Sequence, residues 1–166
     1  MFHFDHHLTE RIRVAGQPTL PLWIFLASHG MWGFAIIALA LVVMGKLPVF
    51  TILLPIVITH LLTLGIQQIV RRERPSIAVA KIVMWRRTPS FPSAHSAGSM
   101  AFATAMGAAA LPLGPIGVVL SVIMILLALG IGVSRIIVGV HFLTDVLGGF
   151  IFGILVTGIF LSAIGG

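Results

Sequence analysis

The stretch SRIIVGVHFLTD, Ser134 to Asp145, lies between two apolar runs, Ile116 to Val133 and Phe142 to Ile164. Each run is near the length needed to cross a membrane, about 20 residues. An arginine, a histidine and an aspartate therefore sit at the join of two spans. Charged and titratable groups beside hydrocarbon are costly and are kept for a purpose. Outward from that join, Leu22 to Met44, Val49 to Val70 and Ser96 to Leu111 read as three further spans, the last extendable back to Ala94. The runs predict an all-α fold: an integral membrane helical bundle of about five transmembrane helices. In residues 1–20, Phe2, Phe4, Leu8, Ile12 and Val14 alternate with charges, the pattern of an N-terminal interfacial amphipathic helix. Residues 21–166 then form one membrane domain.

Composition agrees. Only 8% of the 166 residues are charged and 58% are hydrophobic, with mean hydropathy +1.15. A soluble domain carries roughly 25% charged residues, so this chain cannot cover itself with polar surface. It has no cysteine, which excludes disulfides, a thiol nucleophile and a thiolate metal site. The formal net charge is +6. The basic residues lie mostly beside the spans and accompany no nucleic-acid motif, so the expected partners are membrane lipids and phosphate, with no nucleic acid. The opening MFHFDHHLTERIRVAG is charged throughout and lacks the apolar core of a signal peptide. The third span is rich in small residues, among them Ala97, Gly98, Ala101 and Ala105, and is expected at the centre of the bundle.

Span ends alternate between membrane faces. The end of the second span, the start of the third, the end of the fourth and the start of the fifth share one face. They carry RRERP, FPSAHS, SR and GVHFLTD, so most of the polar chemistry converges there. His141 and Asp145 are four apart, neighbours on a helix face. A carboxylate on one imidazole nitrogen leaves the other as a lone pair, the arrangement of a nucleophile or base. The same spacing also suits a plain ion pair at a helix end. Arg135 carries a planar fork of donors suited to phosphate oxygens. Ser134 can donate to phosphate or cap a helix. Ser93 is a candidate N-cap for the third span, whose free N–H groups would form an anion site. His95, in that first turn, is placed to give a proton to a departing oxygen. Gln67, Arg71 and Arg74 form one helical stripe, with Arg74 the strongest phosphate ligand and Pro75 ending the helix. Arg72, Lys81, Arg86 and Arg87 read as an anchor to lipid headgroups.

Together these stretches resemble the type 2 phosphatidic acid phosphatase superfamily of membrane lipid phosphatases, which shares its site with vanadium haloperoxidases. That pattern reads Lys, six residues, Arg-Pro; then Pro-Ser-Gly-His; then Ser-Arg, five residues, His, three residues, Asp. The chain has Arg74-Pro75, Pro92-Ser93-Ala94-His95, and Ser134-Arg135 through Gly139 and His141 to Asp145. Ala94 replaces the usual glycine, and Gln67 stands where the lysine is expected. The resemblance implies that His141 attacks phosphorus to form a phosphohistidine, that Asp145 orients it, and that His95 protonates the departing oxygen and then activates water. It implies that Arg74, Ser93, the Ala94 amide and Arg135 cradle the phosphoryl group, with no metal or other cofactor. Arg71, one turn beyond Gln67, is our own expectation for the missing lysine.

The small body and the amphipathic entry segment are most similar to undecaprenyl pyrophosphate phosphatases of the bacitracin-resistance type, which act in cell wall biogenesis. That likeness implies hydrolysis of undecaprenyl pyrophosphate to undecaprenyl phosphate at the plasma membrane. Phosphatidylglycerophosphate, phosphatidate and lipid A phosphatases share the layout, and a lipid phosphotransferase of the same fold is a further alternative. A non-enzymatic protein binding anionic lipid is the remaining one, but mere binding needs no oriented nucleophile. Of the ten Lys and Arg, all but Lys46 lie on the site face. The positive-inside rule would put that face in the cytoplasm, whereas the resemblance implies an extracytoplasmic site.

Overall fold

The computed structural model describes residues 2–43, 49–75 and 88–165. Lys46, Lys81, Arg86 and Arg87 lie outside the described residues. The helices are α1 (Phe2–Gly16), α2 (Leu20–Val43), α3 (Val49–Val70), α4 (Ala94–Ala110), α5 (Pro115–Ile137) and α6 (Leu143–Gly165). A 3-10 turn at Gln17–Thr19 carries α1 into α2, and a second at Leu111–Leu113 leads from α4 toward α5. Five helical stretches among the described residues are long and apolar enough to cross a membrane, the first of them formed by α1 and α2 together.

α4 is the central helix. In its most apolar stretch 67% is buried inside the protein, against 11–28% in the other four stretches. Small side chains explain the position, because Ala97, Ala101 and Ala105 let neighbouring backbones come close. Gly149 and Gly153 on α6 complete the approach: a Cβ at Gly149 would stand 2.7 Å from the Ser93 carbonyl oxygen, and one at Gly153 would strike the Ala97 carbonyl. On the other flank Phe34, Phe102, Met106, Met124, Ile131, Val146 and Phe150 fill the core. The outward faces carry Leu, Ile, Val and Phe side chains such as Phe50, Ile69 and Ile159, the surface of a protein solvated by lipid.

α5 runs further than its apolar stretch suggests, through Ser134 and Arg135 to Ile137. Gly139, at φ +77°, then reverses the chain, and the Arg135 carbonyl accepts from both Val140 and His141 N–H at 3.0 and 3.3 Å. Glycine reaches this left-handed conformation without the penalty a side chain brings. The tight reversal leaves His141 in the short link before α6 rather than within it.

α1 does not follow the simple amphipathic reading. Phe4 and Val14 point outward, while Asp5, Thr9 and Gly16 are buried and Ile12 packs on the core. The inward stripe thus begins with a carboxylate. Asp5 Oδ1 accepts from the Thr144 N–H at 3.2 Å and Thr9 Oγ1 from the Leu143 N–H at 2.9 Å. Phe142, at the cap position of α6, has no side-chain acceptor. α1 supplies the missing caps from a distant part of the chain.

Candidate active site

Ser93 is the N-cap of α4, its hydroxyl accepting from the Ser96 N–H at 3.4 Å. Its own N–H donates to the Asp145 carbonyl at 3.0 Å, which fixes the start of α4 to the start of α6. The first N–H groups of α4, at Ala94 and His95, lie beyond the helix's own ladder and form a site for an anion. Gln67, buried on α3, supports this loop by donating Nε2 to the Pro92 carbonyl at 2.9 Å. One of its two N–H donors is thereby used. The remaining Oε1, without a hydrogen-bond partner among the described residues, is an acceptor and repels phosphate oxygens. Gln67 therefore positions the α4 entry, with one N–H left and no positive charge to offer where the pattern has a lysine.

His141 is buried, with Nε2 2.8 Å from Arg74 Nη1 and Nδ1 facing Asp145 Oδ2 at 3.5 Å. A guanidinium only donates, so Nε2 presents its lone pair and the ring proton sits on Nδ1, toward the carboxylate. The 3.5 Å approach is long for a hydrogen bond, and Oδ2 meanwhile accepts from the Phe142 N–H at 2.9 Å. Such contacts are often loose before substrate binds. The pair meets across a turn, not along one helix. Burial pushes the His141 imidazole down to about 4; Asp145 opposes this, while Arg74 and Arg135 add to it. His141 is neutral at pH 7, as a nucleophile must be.

Arg74 is held by the other end of its loop: Nε donates to the Thr88 carbonyl at 2.7 Å, Nη2 to Thr88 Oγ1 at 3.0 Å, and Nη1 also to the Val140 carbonyl at 2.9 Å. Burial lowers its pKa and Asp145 opposes that effect. Arg135, buried at the end of α5, donates Nη1 to the Ala27 carbonyl of α2 at 2.9 Å, and its Nε has no hydrogen-bond partner among the described residues. A buried donor without a protein partner suits an anionic oxygen such as that of phosphate. Ser134 has a different fate from either expectation. Its hydroxyl donates to the Ile131 carbonyl of its own helix at 2.6 Å.

His95 lies within electrostatic range of Arg135, His141, Arg74 and His60. It lines, with His60, an otherwise apolar cavity of 330 Å³ walled by Met31, Ile56, Val57, Leu61, Ala94 and Gly98. Pairwise contacts and electrostatic proximity thus bring His95, His141, Asp145, Arg74, Arg135, Ser93 and the Ala94 amide to one end of the bundle. A neutral imidazole lone pair, two guanidinium groups and a helix N-terminus suit transfer of a phosphoryl group.

The comparisons agree with that chemistry. The family model described as the PAP2 superfamily matches residues 46–165. The chain belongs to the PAP2 superfamily. Two solved structures have the same fold. One is the first transmembrane PAP2 type phosphatidylglycerolphosphate phosphatase from Bacillus subtilis, with TM-score 0.76 and 24% identity over 95% of this chain and 82% of that one. The other is Aquifex aeolicus LpxE, with TM-score 0.75 and 26% identity over 94% and 93%. No curated protein sequence matches significantly.

Two arginines exchange the places expected for them in this PAP2 protein. Arg71 sits at φ +50° where α3 ends, is exposed, and donates Nε to the Gln68 carbonyl at 2.9 Å. The helical stripe through Gln67 stops short of it, so its side chain does not reach the phosphate site. Arg72, expected among headgroups, turns inward and donates to Asp145 Oδ1 at 2.7 Å and to Asp5 Oδ2 at 2.6 Å. Asp5, Arg72 and Thr88 were not legible as site residues. The available signal was that Asp5 is one of only four carboxylates in a chain with ten Lys and Arg. Arg71→Ala is expected to keep turnover within about twofold of wild type, the usual scale of a surface change. Phosphate release by purified protein checks this, and a loss of an order of magnitude would return Arg71 to the site.

Proposed function

We propose that this PAP2 superfamily protein, a multi-pass membrane phosphatase of lipid phosphates, works through a phosphohistidine at His141 and acts on a lipid pyrophosphate, first among them a polyprenyl pyrophosphate. The observation that carries the reading is the buried, neutral His141, with Asp145 behind it and Arg74 on its lone pair. In the first step Nε2 attacks phosphorus. The N–P bond forms as the P–O bond to the lipid breaks, and His95 gives its proton to the departing oxygen. In the second step water attacks the same phosphorus and His95 takes its proton. The N–P bond breaks, releasing inorganic phosphate and neutral His141. Arg74, Arg135 and the α4 N-terminus offset charge on the phosphoryl oxygens, with a bonus from the low dielectric around them. The reading assigns that work to arginines, with no metal ion.

The cavity supports a pyrophosphate. When the terminal phosphate is transferred, the leaving group is itself a phosphate. A second imidazole, His60, lies beside His95 in that cavity, and it suits a leaving group that keeps a charge. The alcohol that leaves phosphatidate carries no charge for it to meet. The apolar walls suit the lipid chain. Purified protein in detergent with chelator, given equal undecaprenyl pyrophosphate, phosphatidylglycerophosphate and phosphatidate, should release phosphate fastest from the first. Preference for a glycerophospholipid rejects the substrate, and no release from any rejects the phosphatase. We assign the site to the outer face of the plasma membrane. With no native cysteine, Glu73→Cys gives a single exposed thiol beside the site. An impermeant thiol reagent should label it in intact cells; labelling only after lysis would place the site in the cytoplasm.

A further inference from the structure

Behind His141, on the side away from Arg74, lies a polar cluster that the PAP2 pattern does not name. Arg72 stands between two buried carboxylates. Nη1 donates to Asp145 Oδ1 at 2.7 Å and to Thr144 Oγ1 at 2.6 Å; Nη2 donates to Asp5 Oδ2 at 2.6 Å. Its guanidinium carbon lies 4.3 Å from the centroid of the Phe142 ring. Asp5 also accepts from the Thr144 hydroxyl at 2.6 Å and the Thr144 N–H at 3.2 Å. Asp5 is 4% exposed and Asp145 fully buried, so these charges are screened little by solvent.

Three elements far apart in sequence meet here: α1, the end of α3 and the start of α6. Their charges read minus, plus, minus from Asp5 through Arg72 to Asp145. An arginine placed directly on Asp145 draws that carboxylate's charge away from His141. Asp5, on the opposite side of the same guanidinium, draws part of it back. The cluster as a whole keeps one net negative charge behind the imidazole, while Arg72 and the Phe142 N–H hold the carboxylate in place. An arginine alone would orient Asp145 at the expense of its field. The second carboxylate resolves that conflict.

We propose that Asp5 and Arg72 are positioning residues of the active site: they act through Asp145 on His141, and α1 is part of the catalytic unit. The proposal rests on the phosphohistidine reading above. It also gives the N-terminal helix a role beyond lying at the membrane surface.

The test is a charge cycle on the full chain in detergent, with phosphate release from a lipid phosphate as the readout. Asp5→Asn keeps the shape and an acceptor for Thr144 but removes the outer charge, leaving the cluster neutral. Turnover should fall about tenfold, the scale of one neighbouring charge lost from a buried site. KM should stay within about twofold, because no group that touches substrate has changed. Arg72→Gln leaves two carboxylates facing each other and should also lower kcat, with Arg72→Lys restoring part of it. The decisive variant is Asp5→Asn with Arg72→Gln, which returns the cluster to one negative charge. It should turn over faster than Asp5→Asn alone, a coupling that independent losses of packing cannot produce. Ile12→Ala loosens the packing of α1 on the core without changing charge, and should keep kcat near wild type. Equal losses in Ile12→Ala and Asp5→Asn, or a double variant slower than both singles, would overturn the proposal in favour of plain docking of α1. If Asp5→Asn does not fold, the double variant and Arg72→Lys against Arg72→Gln still decide. A wild-type protein that releases no phosphate from any lipid phosphate would instead sink the phosphatase reading itself.

Discussion

His141→Ala is expected to lose at least about 10⁴-fold in kcat, as removal of a nucleophile does in other covalent enzymes. The neighbours explain why no other group takes over. Arg74 and Arg135 can only donate hydrogen bonds. The Asp145 carboxylate is engaged by Arg72 and the Phe142 N–H. Ser134 donates back into its own helix. His95 belongs to the cavity side, next to the departing oxygen in our reading. The α4 N-terminus and the two arginines remain in the variant, so lipid phosphate should still bind. The check has two parts. Phosphate release is measured in detergent, and protein is isolated after a rapid acid-free quench with substrate labelled on phosphorus. Wild type should carry label and His141→Ala none. Label on the variant, or more than about a tenth of wild-type turnover, would remove His141 from the nucleophile role.

Gly149→Val should lose both activity and folded stability, through packing and not chemistry. A Cβ there meets the Ser93 carbonyl oxygen at 2.7 Å, the Ser96 Cβ at 2.9 Å and the Ala97 nitrogen at 3.1 Å. Two of the three are backbone atoms of the first turn of α4 and its cap, which cannot rotate aside. α4 and α6 must therefore separate. The Ser93 N–H to Asp145 carbonyl bond at 3.0 Å is the first to suffer, because it ties the anion-binding end of α4 to the carboxylate behind His141. A displacement near 1 Å is enough to cost about 10²-fold in rate. The thermal midpoint in detergent should fall with it. Gly158→Ala on the same helix, where nothing lies within 4 Å, should match wild type in both measurements. Wild-type turnover in Gly149→Val would mean that the close helix approach does not set the site.

Much of this architecture is legible in one dimension because hydrocarbon imposes a simple rule. Backbone groups in lipid must be satisfied within a helix, so apolar length alone announces spans. Alternation of faces then brings Arg74, Ser93, His95, Arg135, His141 and Asp145 to one end of the bundle. The small residues of α4 announce a central helix for a similar reason, since only small side chains permit close approach without a penalty.

The assignment of Arg71 and Arg72 could not be read that way. A helical stripe holds only while the helix lasts, and the positive φ of Arg71 ends it one residue before Arg72. The two side chains then point by local backbone geometry, which periodicity does not carry. Gln67 occupies the expected place, but its role is set by the Pro92 carbonyl, a group 25 residues away. α1 shows the same limit most clearly. Its sequence tells which residues share a face, but not which face is buried. That depended on what α6 lacked: Phe142 offers no cap, so Asp5 and Thr9 turn inward to the bare N–H groups of Thr144 and Leu143, and Phe4 turns out. Apolar length determines the spans, whereas a buried charge goes wherever a distant partner stands, since leaving it unpaired in a low-dielectric interior costs more than exposing a phenylalanine to lipid.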